Sequence, residues 1–161
     1  MGERKRNRKI IGSSFELSLR YLLLLDVCDE TQLTETRLCC FDFISTYARD
    51  FGFCEENLHG YNTYRYSEFI SRQISAPEAI RYLVIKGYVN VTPTKDGFKY
   101  SLTESGHKKC NTLQNDYISN YSSLAGHISH VLHEKSDDEL IIMIHKQSLD
   151  SHNQNFRKEI E

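Results

Sequence analysis

His127, His130 and His133 recur at three-residue spacing, and a run of imidazoles this close is the first feature of the chain that could hold a transition metal. Helical geometry argues against that. Ile118, Tyr121, Leu124, Ala125, Ile128, Val131 and Leu132 mark one apolar face. At about 100° per residue the histidines spread over about 120° on the opposite side, so the outer pair cannot meet one ion on an intact helix. Five cysteines occur without a C-x-x-C pair. Cys39 and Cys40 are adjacent within a helical pattern, where their side chains diverge and cannot easily bridge. They read as reduced thiols filling small apolar sites in a cytoplasm. The carboxylates Asp137, Asp138 and Glu139 sit at a helix start, where the helix dipole accounts for them. The sequence holds no G-x-S-x-G elbow, glycine-rich phosphate loop or H-E-x-x-H pair. The expectation is a protein without catalytic residues, metal or cofactor. An enzyme resting on Cys54 or Cys110 with a histidine is the weakest of the readings considered.

The most unusual polar stretch runs from Leu58 to Arg72. Glu68 and Arg72 form an i, i+4 pair, and Arg65 precedes Glu68 by three residues, so one helix face can carry Arg-Glu-Arg with His59 joining from a loop. Two roles fit equally: a buried polar clip tying that loop to the core, or a contact surface for a partner. A second candidate surface is the apolar run Leu140-Ile141-Ile142-Met143-Ile144. If its helix stands free, that face needs a partner.

These groups must be carried by helices. Ser13-Ser14-Phe15-Glu16 is a capping box opening a helix to about Cys28, whose Leu22 to Leu25 block is apolar nearly all round. Thr34 starts a second helix, with Leu38, Phe41, Ile44, Ala48 and Phe51 as its buried stripe and Gly52 as its stop. A short helix from Tyr66 to Gln73 follows. Ser75-Ala76-Pro77-Glu78 reads as a capping box for the next helix, which Gly87 ends. Tyr88 to Thr92 alternates with period two, a turn at Pro93 to Gly97 reverses the chain, and Phe98, Tyr100 and Leu102 alternate again before Thr103 caps a helix. That helix is expected to reach about Leu132 with a kink near Gly126. Ser136 to Glu139 offers another capping box, and the tail from Ser148 is expected to fray.

The expected fold is therefore mainly α with a small β-hairpin wing: a winged helix-turn-helix with added N- and C-terminal helices. The organisation expected is a basic arm over residues 1–12, a winged-helix domain over 13–133 with a long C-terminal helix, and an appended apolar helix and polar tail over 134–161. Charge qualifies what the wing does. Arg4, Lys5, Arg6, Arg8 and Lys9 against Glu3 put +4 into the first nine residues of a chain whose formal net charge is −2, which leaves −6 on the rest. The expected first turn of the recognition helix, Ala76 to Ala79, has no good base reader, and its Glu78 would face phosphate. Arg4, Lys5 and Arg6 of the arm and Lys95 and Lys99 of the wing remain candidates for contact with the DNA backbone. No stretch reaches the roughly 20 apolar residues of a membrane span, and no secretory signal is expected.

The chain resembles the middle component of bacterial ABC three-component defence systems, including the Lamassu-type anti-phage and anti-plasmid complexes. The likeness lies in Phe15-Glu16-Leu17-Ser18-Leu19-Arg20, Leu33, Arg37-Leu38 and Phe41-Asp42-Phe43. It continues in Leu58-His59, Arg65, Glu68 and Arg72, then in Leu83 to Val89, Gly97 to Tyr100 and Thr103 to Gly106. The resemblance implies a cytoplasmic accessory subunit without ATPase or nuclease chemistry. Its implied partners are an SMC-like ABC ATPase and an effector, often a nuclease, with double-stranded DNA met through the complex. His59, Arg65, Glu68, Arg72, Leu140, Ile141 and Ile144 are the residues expected to touch partners. The rival expectation is a dimeric winged-helix transcription regulator reading DNA through Arg81 and Lys86.

Overall fold

The computed structural model describes residues 13–28, 30–60 and 64–160. The basic arm, with Arg4, Lys5 and Arg6, lies outside them. Helix α1 (Ser14–Val27) opens on Ser13, whose hydroxyl accepts from the Glu16 N–H at 3.2 Å. Strand β1 (Leu33–Thr34) leads into α2 (Glu35–Thr46), where the Thr34 hydroxyl caps the Arg37 N–H at 3.1 Å. Helix α3 (Arg65–Ile85) precedes strands β2 (Val89–Thr94) and β3 (Gly97–Leu102). Then come α4 (Glu104–Asn111), α5 (Asp116–Val131) and α6 (Asp137–Ile160). Among the described residues the fold is six α-helices and one three-stranded antiparallel sheet of order β1-β3-β2.

Several expected boundaries shift, each for a physical reason. The turn expected before Ser75 is absent, and α3 runs straight through Pro77. Its buried positions Phe69, Arg72, Ala76, Ala79, Ile80 and Leu83 form an unbroken stripe at three- and four-residue steps, so tertiary packing holds the helix together. Pro77 removes one internal hydrogen bond, to the Gln73 carbonyl, but both residues are exposed, where water can satisfy that carbonyl. The second helix stops at Thr46, and Gly52, at φ 82°, ends a separate 3-10 turn, Ala48–Phe51. The long helix expected after the hairpin breaks at 112–115, where the Asn115 side chain caps the Ile118 N–H of α5 at 2.8 Å. Gly126 lies inside α5 without a kink, where a Cβ would stand at ordinary contact distance, 3.6 Å, from Val27 of α1. The tail expected to fray from Ser148 onward continues as helix, α6 running to Ile160.

The hairpin keeps the alternation read from sequence. Val89 pairs Leu102, Val91 pairs Tyr100, and Pro93 pairs Phe98. Pro93 thus lies in a strand, tolerated because β2 is the sheet edge. Strand β1 adds Leu33 opposite Tyr100 and Thr34 opposite Lys99, a pairing too short to show a period in sequence.

One core joins all these elements. Tyr21, Leu22 and Leu24 of α1 are fully buried with Phe41 and Ile44 of α2, Phe69 and Leu83 of α3, and Tyr121 and Ile128 of α5. Helix α6 docks on α2 through Leu140 and Ile144. A polar clip fixes its start: the Thr34 hydroxyl donates to Asp137 at 2.6 Å, and Arg37 Nη2 donates to the Lys135 carbonyl at 2.6 Å. Ser136 and Glu139 complete the capping box reciprocally, at 2.7 and 3.1 Å.

Gly106 sets how closely α4 meets the hairpin. A Cβ there would stand 2.3 Å from the Tyr88 carbonyl oxygen and 2.8 Å from Leu102 Cδ1. A glycine-to-alanine change inside an exposed helix raises stability by about 1 kcal/mol. Here Gly106→Ala is expected to lower it by about 1–3 kcal/mol through overpacking. The readout is a lower urea midpoint at unchanged m-value, with Ser105→Ala, at an exposed position, as the control.

Candidate functional site: a buried charge network and the outward face of the third helix

Asp42 points into the core from α2 and is fully shielded from water. Arg20 of α1 meets it with two prongs, Nε to Oδ1 at 2.7 Å and Nη2 to Oδ2 at 3.2 Å. Arg72 of α3 donates from Nη1 to Oδ2 at 3.0 Å, and the Tyr121 hydroxyl of α5 donates to Oδ1 at 2.7 Å. Both arginines are themselves buried, and each has a second carboxylate at the edge of the cluster: Glu16 on Arg20 at 3.0 Å, Glu68 on Arg72 at 2.7 Å. Charges therefore alternate along Glu16, Arg20, Asp42, Arg72 and Glu68. The Arg72 guanidinium also donates to the Thr46 hydroxyl at 2.8 Å and lies over the Phe43 and Tyr47 rings at 5.6 and 5.7 Å.

His59 closes the network from the loop. Its Nδ1 stands 3.3 Å from Arg72 Nη2, and a guanidinium can only donate, so Nδ1 keeps its lone pair. The ring proton then sits on Nε2 and is donated to the Tyr117 hydroxyl at 2.7 Å. The Tyr117 ring stacks on both His59 and Tyr121.

The network sets its own protonation. Burial would raise the Asp42 carboxyl, but Arg20 and Arg72 more than offset it, and the group titrates below the ordinary aspartate value. Burial would likewise raise Glu68. The Arg72 guanidinium and the Tyr47 hydroxyl facing it hold it well below the ordinary glutamate value instead. Both lie in bonding range, the Tyr47 hydroxyl donating to Oε2. Burial pushes the Tyr121 hydroxyl well above its usual value, and the neighbouring Asp42 charge adds to that. The cleft over this network, between Ser13, Glu16, His59 and Glu68, encloses about 90 Å³. Small-molecule sites usually need about 300 Å³ or more, so the cleft is too small for an organic substrate.

A family model for the middle component 2 of ABC three-component systems matches residues 10–154. The chain belongs to that family. No curated protein and no solved structure matches it. As a middle component, it is an accessory subunit of a multi-component defence system and has protein partners.

The remaining sequence-predicted residues of this middle component scatter. Arg65 leaves its two helix neighbours and pairs with Asp50 at 2.7 Å and with the Ser151 hydroxyl of α6 at 3.0 Å. His59, Glu68 and Arg72 come together as the clip just described. Leu140 and Ile144 are 0% and 1% exposed, so the apolar run is covered by α2 of the same chain and its buried side is not open to a partner. Ile141 is partly buried, and Ile142 alone of the run points strongly outward. Lys95 is exposed at the hairpin turn and Lys99 is half-buried on β3. His127 lies edge-on to Phe53, and the His130 and His133 rings stack at 6.0 Å. No group of three or more metal-ligating side chains converges among the described residues. Cys39, Cys40, Cys54 and Cys110 are free thiols, and burial pushes Cys39 and Cys110 up to about 12, far from the reactive thiolate form. No described helix is long and apolar enough to cross a membrane.

The centre of the network escapes a reading of the residues alone. Arg20 and Asp42 enter there only through the family likeness, although a signal is present: each is a charge set among apolar neighbours on a helix, which demands a counter-charge. The helix that leads into the hairpin also starts earlier than its capping signal suggests. Its first turn is Arg65 to Glu68, both engaged inside the chain, and Ala76 to Ala79 form its middle. The outward side of α3 carries Ile70, Ile74, Pro77, Arg81 and Ile85, and the three isoleucines are 44%, 76% and 69% exposed.

Asp42→Asn, which leaves two buried guanidinium groups without their shared charge, is expected to cost about 3–5 kcal/mol in urea unfolding. The two carboxyls titrate lower in the native state than in the unfolded chain, so the unfolded chain binds protons that the native one refuses. Their contribution is complete above the ordinary carboxylate range and drains as pH falls through it towards the native values. The melting temperature is expected to hold between about pH 7 and about pH 5, then to fall, with Glu68→Gln flattening the acid limb.

Proposed function

We propose that this middle component is a non-catalytic adaptor of a Lamassu-type complex, linking an SMC-like, DNA-sensing ABC ATPase to an effector nuclease in the cytoplasm. We read its body as a winged helix, in which α2, α3 and the β2–β3 hairpin follow one another as that fold requires and β1 pairs beside the wing.

The observation that carries the reading is the character of α3. In a winged helix, the helix ahead of the wing is the one that enters the major groove and reads base edges with polar side chains and phosphates with cations. Here its outward side carries the exposed Ile70, Ile74, Pro77 and Ile85, with Ser67 and Glu78 beside them and Arg81 the one cation among them. Pushing this stripe against a hydrated, charged groove would desolvate phosphate without replacing its hydrogen bonds. Pressing it against another apolar surface releases water at a gain of about 25 cal/mol per Å². Family membership supplies protein partners that this face can meet.

Co-expression with the other two components of its system is expected to yield a complex of fixed stoichiometry. Ile74→Asp is expected to cut recovery of the complete complex by about tenfold or more, while the circular dichroism of the free chain stays unchanged. Tight, sequence-specific DNA binding by the free chain, lost on Arg81→Ala, would instead make it a transcription regulator.

A further inference from the structure

The outward face of α3 has a symmetry that points to its occupant. At about 100° per residue, Ile70, Ile74, Pro77, Arg81 and Ile85 lie within an arc of about 80°. That arc stands opposite the buried stripe of Phe69, Arg72, Ala76 and Leu83. Reversing the helix about a point midway between Pro77 and Glu78 superposes Ile70 on Ile85 and Ile74 on Arg81. Read backwards, the stripe thus sets isoleucine on isoleucine at its ends and isoleucine on the arginine stem between them.

We infer that a second copy of this chain occupies the face, α3 packing antiparallel on α3 about a twofold axis between Pro77 and Glu78. The inference rests on the reading above that α3 meets protein rather than DNA, and it names the protein. In such an isologous contact each residue meets its mirror position on the other copy. Ile70 of each copy then covers Ile85 of the other at the two ends, and Ile74 covers the aliphatic stem of Arg81.

Charge fits the same axis. Glu78 borders the stripe on the side of Ile74 and Ile85, and a twofold axis of this kind brings like flanks together. Glu78 of one copy and Arg81 of the other are then offset by about 6 Å along the helix at 1.5 Å per residue, within reach of an arginine side chain. Both residues are exposed, and no ion pair within the chain engages either of them among the described residues. The symmetric pairing gives two reciprocal Glu78–Arg81 bridges on either side of the axis. A different partner would have to supply an acid and a base in this order by its own sequence; a second copy supplies them by symmetry.

The test uses the full chain and light scattering after size exclusion, with circular dichroism to verify folding. The unmodified chain is expected at about twice its 18.8 kDa mass. Glu78→Arg sets four cations around the axis and Arg81→Glu sets four anions there, so each variant alone is expected to run as a monomer, its dimer dissociation constant raised by about tenfold or more. Mixing the two variants sets the two cations of one copy against the two anions of the other across the interface, and the mixture is expected to return to dimer mass. An unmodified chain that stays monomeric at about 100 μM overturns the inference. So do single variants that remain dimers, or a mixture that stays monomeric. If the free chain is a monomer and Ile74→Asp still strips it from the complex, another subunit holds the face: the second copy is then ruled out while the adaptor reading stands. If α3 variants change only DNA binding, both fall.

Discussion

A carboxylate sealed from water must be neutralised where it stands, and in this fold that requirement falls on Asp42. Its neutralisation takes Arg20 from α1, Arg72 from α3 and the Tyr121 hydroxyl from α5, so a single buried charge fixes three helices against the fourth that carries it. Each arginine is buried in turn and needs more acceptors than Asp42 provides, which draws in Glu16, Glu68 and Thr46. The chain of obligation ends only at the edge of the core, where His59 and Tyr117 tie the loop to α5. An apolar core of the same volume could be as stable or more so. What the charges add is directionality: the two-pronged Arg20–Asp42 contact accepts one rotation of α1 on α2, whereas leucine against phenylalanine accepts several.

That constraint divides α3 into two sides with different duties. Its inner side supplies Arg72 to the network and Phe69 and Leu83 to the core, which holds the helix in place through Pro77. Its outer side is thereby displayed on a rigid support, with three exposed isoleucines along it beside Glu78 and Arg81. Interfaces gain most when their anchors need no ordering on contact, because fixing side chains and backbone consumes part of the binding energy. A helix whose buried face is locked by charged hydrogen bonds meets that condition, and this connects the network to an accessory subunit's work of gripping proteins. The clip at Arg37, Thr34 and Asp137 does the same for α6, whose buried leucine and isoleucine hold it on α2.

How much of this was legible in the sequence depends on the distance over which each feature is determined. Ser13, Thr34, Thr103 and Ser136 were readable as helix starts, because a capping hydroxyl bonds an N–H within three residues. The hairpin was readable because alternation and turn lie within fourteen residues of continuous chain. The same local grammar misled at Ser75-Ala76-Pro77-Glu78, where a good start signal sits in mid-helix. The cap would satisfy a few N–H groups, but starting there would break a buried stripe that continues on both sides. The polar segment from Leu58 to Arg72 stands out in the sequence, yet its sense is not legible there, since the partner that explains Arg72 is thirty residues away.

The sequence by itself determined the helical character, the placement of most caps, the register of the hairpin and membership in a middle-component family, because each is written in contacts or patterns spanning a few residues or in matched positions along the chain. Only the tertiary structure decided that Asp42 is the hub, that α3 is one helix, that β1 joins the sheet and that Leu140 and Ile144 face inward. Those outcomes depend on which distant surfaces cover one another, and the free energy of burying an apolar face or a charge belongs to the pair of segments that meet, not to either one alone.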